Sequence, residues 1–453
     1  MNPPALTRRS LLKRAALAAT APVFPNIIPS RLLGADGAVS PNNRVNVALI
    51  GTGRQVFYAN LPWFLSSEEV QVVAVCDADA WRMEQAKTMV EESYADKIKA
   101  GTYKGCATCR DFREVLARPD VDAVMISTPD HWHACMAIGA AKAGKDIALE
   151  KPISLSVEQG RAIANAVKKH KVVCRTDTEV RSNLRFQQLC QIVRNGRIGQ
   201  VKRVRAAVPK DPEPLAENPG PMPVPPELDY ELWQGPAPAR PYTQQRVHFP
   251  HGGLDYTKGT NPGWFHISDY SLGNLLNWGT HILDIVQWAL DTEHTGPVEV
   301  EGKAEFPKSF WDSPINHEFR YRYANGIEVF YHSERPYVRV EGSEGWVEYT
   351  WFQSDGFKAS DPALLKWKPE PDDLELPCIS EKQDFINCVR SRKEPIITAE
   401  IGHRAATMCQ IGYIAAKLGQ KLHWDPLAEK FSGNDEANKL LSRPVRAPWS
   451  IEV

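Results

Sequence analysis

The chain has 453 residues, 43% of them hydrophobic and 24% charged, with a formal net charge of −1 at pH 7. Such a composition describes an ordinary globular protein with enough apolar residues for a sizeable core. The balanced charge, with no basic stripe interleaved with aromatics, excludes a nucleic-acid footprint.

Residues 1–40 read as an address and a linker. Thr7-Arg8-Arg9-Ser10-Leu11-Leu12-Lys13 is a twin-arginine pattern, and a weakly apolar run follows, ending in the small residues Ala19-Thr20-Ala21. A bilayer span needs about 20 apolar residues and this run is shorter, so no stable membrane insertion is expected. The expectation is a signal that exports a folded protein to the periplasm. The remaining chain, roughly 415 residues, predicts two domains at the usual size of about 100–200 residues each. Nine cysteines, scattered and odd in number, argue against a disulfide framework. Cys106-Ala107-Thr108-Cys109 lacks the second pair that would complete a zinc site, so no metal is expected. Thirteen tryptophans, several in the second half near Gly and Pro, fit either a sugar-binding surface or a plain core.

From residue 44 strands and helices alternate. Residues 44–50 form a near-continuous, β-branched apolar run, the mark of a buried strand, and lead into Gly51-Thr52-Gly53-Arg54. Further strands are predicted at 70–76, around Gly105, at 123–127, 146–149 and 171–175. Helices are predicted over 81–94, 111–117, 133–143 and 157–170. This spacing predicts a doubly wound parallel sheet of about six strands over residues 44–178.

After residue 178 the pattern changes. A helix over 185–195 and a strand over 201–208 precede residues 209–263, a Pro- and Gly-dense stretch expected to be an ordered surface insertion. A helix over 274–290 follows, and from 298 strands dominate. Asn325-Gly326 and Gly342-Ser343-Glu344-Gly345 mark hairpin turns. A long helix over 402–418 and a tail over 427–453 close the chain. Residues 179–426 are therefore read as a second α/β domain with an open, mainly antiparallel sheet, serving substrate binding and dimerisation.

The glycine turn carries the first chemistry. In a dinucleotide site the first glycine makes the turn and the second admits backbone close to the pyrophosphate at a helix N-terminus. Gly51 and Gly53 take these roles, with Arg54 beside them. Asp77 ends the second strand at roughly the 20-residue spacing of a ribose-binding carboxylate. It favours NAD over NADP, an effect Asp79 strengthens and Arg82 opposes. Thr128-Pro129-Asp130-His131-Trp132-His133 follows the fourth strand, so Thr128, Pro129 and His131 are expected along the cofactor. His131 and His133 have the spacing of metal ligands, but an Asp130 helix cap accounts better for this turn.

Glu150-Lys151-Pro152 follows the fifth strand, on the edge where ligands of open α/β sheets bind. Oxidising a carbinol requires a base for the hydroxyl proton as the hydride leaves. Burial and a positively charged nicotinamide would both favour the free amine of Lys151. On the helix over 274–290, Asn277, His281 and Asp284 recur at i, i+4 and i+7 and form one polar stripe on an otherwise apolar surface. A histidine with a carboxylate one turn on is a candidate oriented acid/base.

Together, Gly51-Thr52-Gly53, Asp77, Thr128 to His133, Glu150-Lys151-Pro152 and Gly279-Thr280-His281-Ile282-Leu283-Asp284 resemble the glucose–fructose oxidoreductase/inositol dehydrogenase family (Gfo/Idh/MocA), over about residues 44–426. The resemblance implies an N-terminal Rossmann domain, a C-terminal α/β domain and a bound NAD(P). It also implies a catalytic Lys151 with His281 as its acid/base partner. Where the family's helix often carries an aspartate four residues before the histidine, this chain has Asn277, which can orient substrate, as can Asp284, but cannot hold a proton. The resulting expectation is a periplasmic NAD-dependent oxidoreductase acting on a sugar or cyclic polyol, homo-oligomeric because open-faced sheets in such domains often dimerise. Two alternatives stand beside it: a redox-neutral, glycoside-cleaving enzyme that recycles bound NAD, and a sugar-binding or scaffold protein without turnover.

Overall fold

The computed structural model describes residues 44–215, 218–248 and 262–453. The twin-arginine segment and part of the Pro-rich insertion lie outside these residues, and Val45–Val453 forms one compact unit.

Six parallel strands form the first sheet: β1 (Val45–Ile50), β2 (Val70–Cys76), β3 (Ala107–Cys109), β4 (Ala123–Ile126), β5 (Asp146–Glu150) and β6 (Cys174–Asp177), in the order β3-β2-β1-β4-β5-β6. Every residue of β4, β5 and β6 is buried. Helices on both faces cover the sheet, which is why its strands read as continuous apolar runs rather than alternating ones. The order reverses between β1 and β4, and the crevice at that switch point opens at the carboxyl ends of the strands. β6 starts later than the sequence suggests. Lys171 adopts a left-handed conformation (φ +55°) that ends the Val157–His170 helix, and only then does the chain extend.

The second sheet has nine strands: β7 (Val201–Pro209), β8 (Glu299–Glu305), β9 (Ile315–Arg322), β10 (Glu328–Glu334), β11 (Tyr337–Gly342), β12 (Trp346–Thr350), β13 (Phe357–Ala359), β14 (Leu422–Asp425) and β15 (Lys430–Phe431). All pairings are antiparallel except β7 with β10. Along β9 buried and exposed residues alternate, as period-2 strands do when one face is covered. The helices Gly273–Leu290 and Ala399–Leu418 provide the cover and pack on one another. Phe319, Tyr321, Val329, Tyr331 and Val340 fill the covered face.

The described part of the insertion is ordered. Short helices at Tyr230–Gln234 and Gln244–Val247 gather Tyr230, Trp233, Tyr242, Ile267, Tyr270 and Trp311 into a small aromatic core of their own.

Candidate active site

A cavity of about 470 Å³ opens at the carboxyl edge of the first sheet. Gly51, Gly53 and Arg54 of the turn line it, together with Asp77 and Arg82 after β2, Glu150 and Lys151 at the end of β5, and Asn277 of the second domain. Gly51 has φ +85°, and a Cβ there would lie 2.7 Å from the Ser127 carbonyl oxygen, so the close packing of the turn against β4 requires glycine. At Gly53 a Cβ would meet nothing within 4 Å, which leaves backbone open to the cavity. Thr128 Oγ1 is buried without a hydrogen-bond partner among the described residues and belongs to the same wall. An open glycine turn and an orphaned hydroxyl are what a dinucleotide phosphate or nicotinamide group would satisfy, so these residues fit such a cofactor.

Asp77 holds the turn as well as facing the cavity. Its carboxylate accepts from the Thr52 N–H (2.6 Å) and hydroxyl (3.0 Å) and from the Asp79 N–H (2.9 Å). Burial raises its pKa, while those backbone donors pull it down. Burial alone would raise Asp79 as well, but the bond from His248 and the Arg82 guanidinium bring it below the usual range.

In the turn after β4 the sequence expectation needs correction. Asp130 does not cap the following helix; its carboxylate accepts from the Ser271 hydroxyl at 2.7 Å, deep in the protein. Burial pushes this carboxyl up to about 7. His131 is not on the cavity wall. Its Nε2 meets the Trp233 carbonyl at 3.1 Å, and its ring packs against Trp233 and Tyr270, because the insertion core draws it outward. His133 ties two functional loops together, with Nδ1 2.7 Å from the Pro152 carbonyl and Nε2 3.0 Å from the Thr128 carbonyl. Burial drives its pKa down to about 4. Among the described residues no cluster of three or more metal-ligand side chains forms.

Lys151 extends from the end of β5 across to the second domain. Its Nζ donates to Asn277 Oδ1 at 2.5 Å. Glu150, one residue earlier, is buried and accepts from Asn60 Nδ2 at 3.0 Å; burial and the nearby Asp177 carboxylate raise its pKa to about 7. One helical turn beyond Asn277 lies His281, only 3% exposed and away from the cavity wall. Burial and then the charge of Lys151 push its pKa well below the ordinary value, so the ring is neutral. Its Nδ1 is buried without a partner among the described residues.

Asp284 does not orient His281. Its two oxygens take a bidentate pair from Arg181 (2.8 and 2.6 Å), and it is 1% exposed, which removes it from substrate contact. The geometric reason is that the buried Arg181 guanidinium, in the turn after β6, has donors beyond the one that Glu293 takes, and Asp284 accepts from them. The carboxylate that faces His281 is Glu179, with Oε2 3.6 Å from Nε2 and a half-exposed side chain. Glu179 and Arg181 were missed in the sequence. They follow β6 at the same carboxyl edge as Lys151 follows β5, and that position is the signal that marks them.

The insertion forms one wall of the cavity, and the tail packs behind it. Leu232, Trp233, Val247 and His248 form part of its wall. The Ala80 N–H donates to the Glu227 carbonyl and the Asp229 N–H to that of Ala78, both at 2.9 Å. Arg110 also donates to the Glu227 carbonyl (2.8 Å), and His248 Nε2 meets Asp79 at 3.1 Å. The tail fastens this cover from outside. Arg446 donates to the Gly235 carbonyl at 2.9 Å, and the Trp449 ring meets Trp132 edge-on at 4.5 Å.

Similarity to known proteins follows the same division. Residues 45–178 match the oxidoreductase family's NAD-binding Rossmann fold, and residues 216–451 match its C-terminal alpha/beta domain. A glycosyl hydrolase family 109 protein of Shewanella woodyi is 31% identical over 180 residues, which cover 40% of this chain and 38% of that protein. The chain spans 36% to 49% of the length of the curated relatives it matches. Among solved structures, the aldose-aldose oxidoreductase of Caulobacter crescentus, complexed with glycerol, superposes with a TM-score of 0.58 at 18% identity, covering 84% of this chain and 99% of that one. The WlbA dehydrogenase of Bordetella pertussis, in complex with NADH and UDP-GlcNAcA, gives 0.59 at 16% identity over 83% and 98%. These two likenesses speak for the fold alone. With both of its domain models matched, the second over more than half of its length, the chain belongs to the Gfo/Idh/MocA oxidoreductase family.

Proposed function

We propose that this protein transfers a hydride between a nicotinamide cofactor, NAD rather than NADP, and a carbinol carbon of a sugar or cyclic polyol. The observation that carries the reading is the Lys151–Asn277 contact on the wall of the same cavity that the glycine turn lines. Bound NAD would supply the hydride acceptor. Gly51, Gly53 and Thr128 would hold its phosphate and nicotinamide portions, and Asp77 its adenosine ribose. Lys151 takes the hydroxyl proton as the hydride leaves. Asn277 aims the amine and offers its amide to a second substrate hydroxyl. His281, one turn further along the same helix with its neutral ring buried and Glu179 on the Nε2 side, is the proposed proton-transfer partner of Lys151 rather than a direct substrate contact.

A second reading is favoured by the cover over the cavity: oxidation, glycoside cleavage and re-reduction by one retained cofactor. A cofactor covered by the insertion, which the tail braces from behind, would leave slowly, which suits recycling rather than exchange. The naming of curated relatives as glycosyl hydrolase family 109 proteins supports it. Export of the folded, loaded protein through Arg8 and Arg9 belongs to the same reading, since the periplasm offers no pool of NAD to exchange against.

Both are tested by following reduced nicotinamide absorbance with candidate sugars on protein purified with and without its cofactor. Continuous NADH production from one sugar with added NAD supports the dehydrogenase. Product without net NADH beyond one equivalent per site supports the recycling enzyme. No turnover and no reduction of bound cofactor by any sugar or glycoside would leave only the sugar-binding alternative.

A further inference from the structure

Beside the His281 ring the second domain carries an aromatic group that the reaction does not use. Trp351 and Phe352 follow β12, and their rings stack with centroids 4.6 Å apart and planes 8° from parallel. Trp278, on the helix that carries Asn277 and His281, meets Trp351 edge-on at 5.5 Å and Phe352 at 6.1 Å. The His281 ring in turn lies 5.7 Å from Trp351 and 6.3 Å from Trp278. The group therefore runs outward from the candidate proton-transfer residue, through a nearly buried Trp351 (7% exposed), to a Phe352 that is 71% exposed.

Phe352 is held there at a cost. Its φ is +61°, a left-handed conformation that bulky side chains avoid. The turn that imposes it is closed by the Thr350 N–H on the Gly356 carbonyl and the Gly356 N–H on that of Gln353. Scattered exposed hydrophobic residues are common and need no explanation. This one is stacked on a packed aromatic group that reaches the His281 ring, so it presents a rigid aromatic face rather than an isolated side chain.

We infer that Phe352, backed by Trp351 and Trp278, is a second sugar subsite, on which the ring adjoining the reacting one stacks. This rests on the reading of Lys151 and His281 as a carbinol site and adds that the substrate is a glycoside or disaccharide rather than a free monosaccharide or polyol. A pyranose has an apolar face of C–H groups, slightly positive, bounded by a rim of hydroxyls. An aromatic face is its electrostatic complement. Stacking removes apolar area from water while leaving the hydroxyls hydrated, which avoids the penalty of stripping polar groups. The exposed area is that of one aromatic ring. It matches one sugar ring and falls far short of the roughly 800 Å² per partner of a stable protein interface. The half-exposed Glu179 carboxylate, 3.6 Å from His281, offers an acceptor for a hydroxyl at the junction of the two rings.

Saturation-transfer NMR on the full, NAD-loaded chain tests this, with methyl glucosides and galactosides and the corresponding methyl disaccharides as probes. With a bound disaccharide, protons of both rings should receive saturation. Phe352→Ala should abolish the signal of the second ring and raise the disaccharide Kd by about tenfold, with the first ring still saturated; Phe352→Tyr should restore both. A second ring that stays unsaturated in the unaltered protein overturns the subsite and leaves the carbinol reading standing. So does a disaccharide-to-monosaccharide affinity ratio unchanged by Phe352→Ala. If sedimentation shows that Phe352→Ala changes the oligomeric state, Phe352 is an interface residue and the subsite is likewise overturned. Failure of every probe to bind through either ring counts against the sugar reading as a whole.

Discussion

Lys151 and Asn277 meet across the two domains, with the amine donating to the amide oxygen at 2.5 Å, although 126 positions separate them in the chain. The fifth Rossmann strand delivers one partner and the long helix of the second domain the other. Any substrate held between them is therefore held by both domains at once.

Replacing Lys151 with Ala or Met should lower kcat by about 10² to 10⁴, the usual contribution of a positioned proton-transfer group, with cofactor affinity changed far less. Asn277→Asp should place a carboxylate against the amine, favour its charged form and move the rise of kcat/KM to higher pH. A pH–rate series for both variants checks this, and an unshifted profile for Asn277→Asp would separate Asn277 from the proton-transfer step.

Asp130 should make stability depend on pH in a predictable direction. Its carboxyl is raised to about 7 by burial, so the folded state holds its proton more tightly than the unfolded chain does. The stability this provides is full below the unfolded carboxylate range and is lost as pH rises toward 7. Asp130→Asn keeps a partner for Ser271 but has no charge to bury. Its Tm should match that of the unaltered protein near pH 4 and exceed it at pH 8, by about 1–3 kcal/mol of stability. Parallel thermal unfolding curves across that range would remove Asp130 from this role.

Asp77→Ser should shift relative affinity from NAD toward NADP, because the carboxylate that accepts ribose hydroxyls and repels a 2′-phosphate is gone. The same change removes acceptors from Thr52 and Asp79, so binding of both cofactors should weaken. Calorimetric titration with each cofactor reads the ratio, and a constant ratio would sink the assignment.

Trp449→Ala should loosen the cover while replacing no residue that lines the cavity. The ring packs on Trp132, itself part of that wall, and beneath the Arg113 guanidinium. Cofactor retained through dialysis should then be lost faster, at unchanged equilibrium chemistry. Equal retention in both proteins would mean that the tail does not hold the cover.

Asp284→Ala should act on stability. Among the described residues it leaves the buried Arg181 guanidinium only Glu293 and the Trp288 face as partners. Breaking one side of a buried pair costs about 3–5 kcal/mol. A large fall in Tm is expected; a variant of normal stability but raised KM would return Asp284 to the substrate.

The sequence by itself determined the Rossmann sheet, the change of architecture after residue 178 and the helix bearing Asn277, His281 and Asp284. These follow from local rules: apolar runs in strands covered on both faces, glycine at a positive φ, Asn-Gly at a hairpin. Strand and turn position also pointed to Gly51, Asp77 and Lys151, because the carboxyl edge of a parallel sheet can be read from strand order. Local rules could not say which partner each polar group would find. Asp284 looked like the companion of His281 from its place one turn along, yet Arg181, 103 positions away, claims it, and Glu179 faces the histidine instead. Asp130 looked like a helix cap, yet Ser271, 141 positions on, takes its carboxylate. A buried charge or donor pairs with whatever long-range packing brings within about 3 Å, and that neighbour is decided only when the two domains, the insertion and the tail have closed around it.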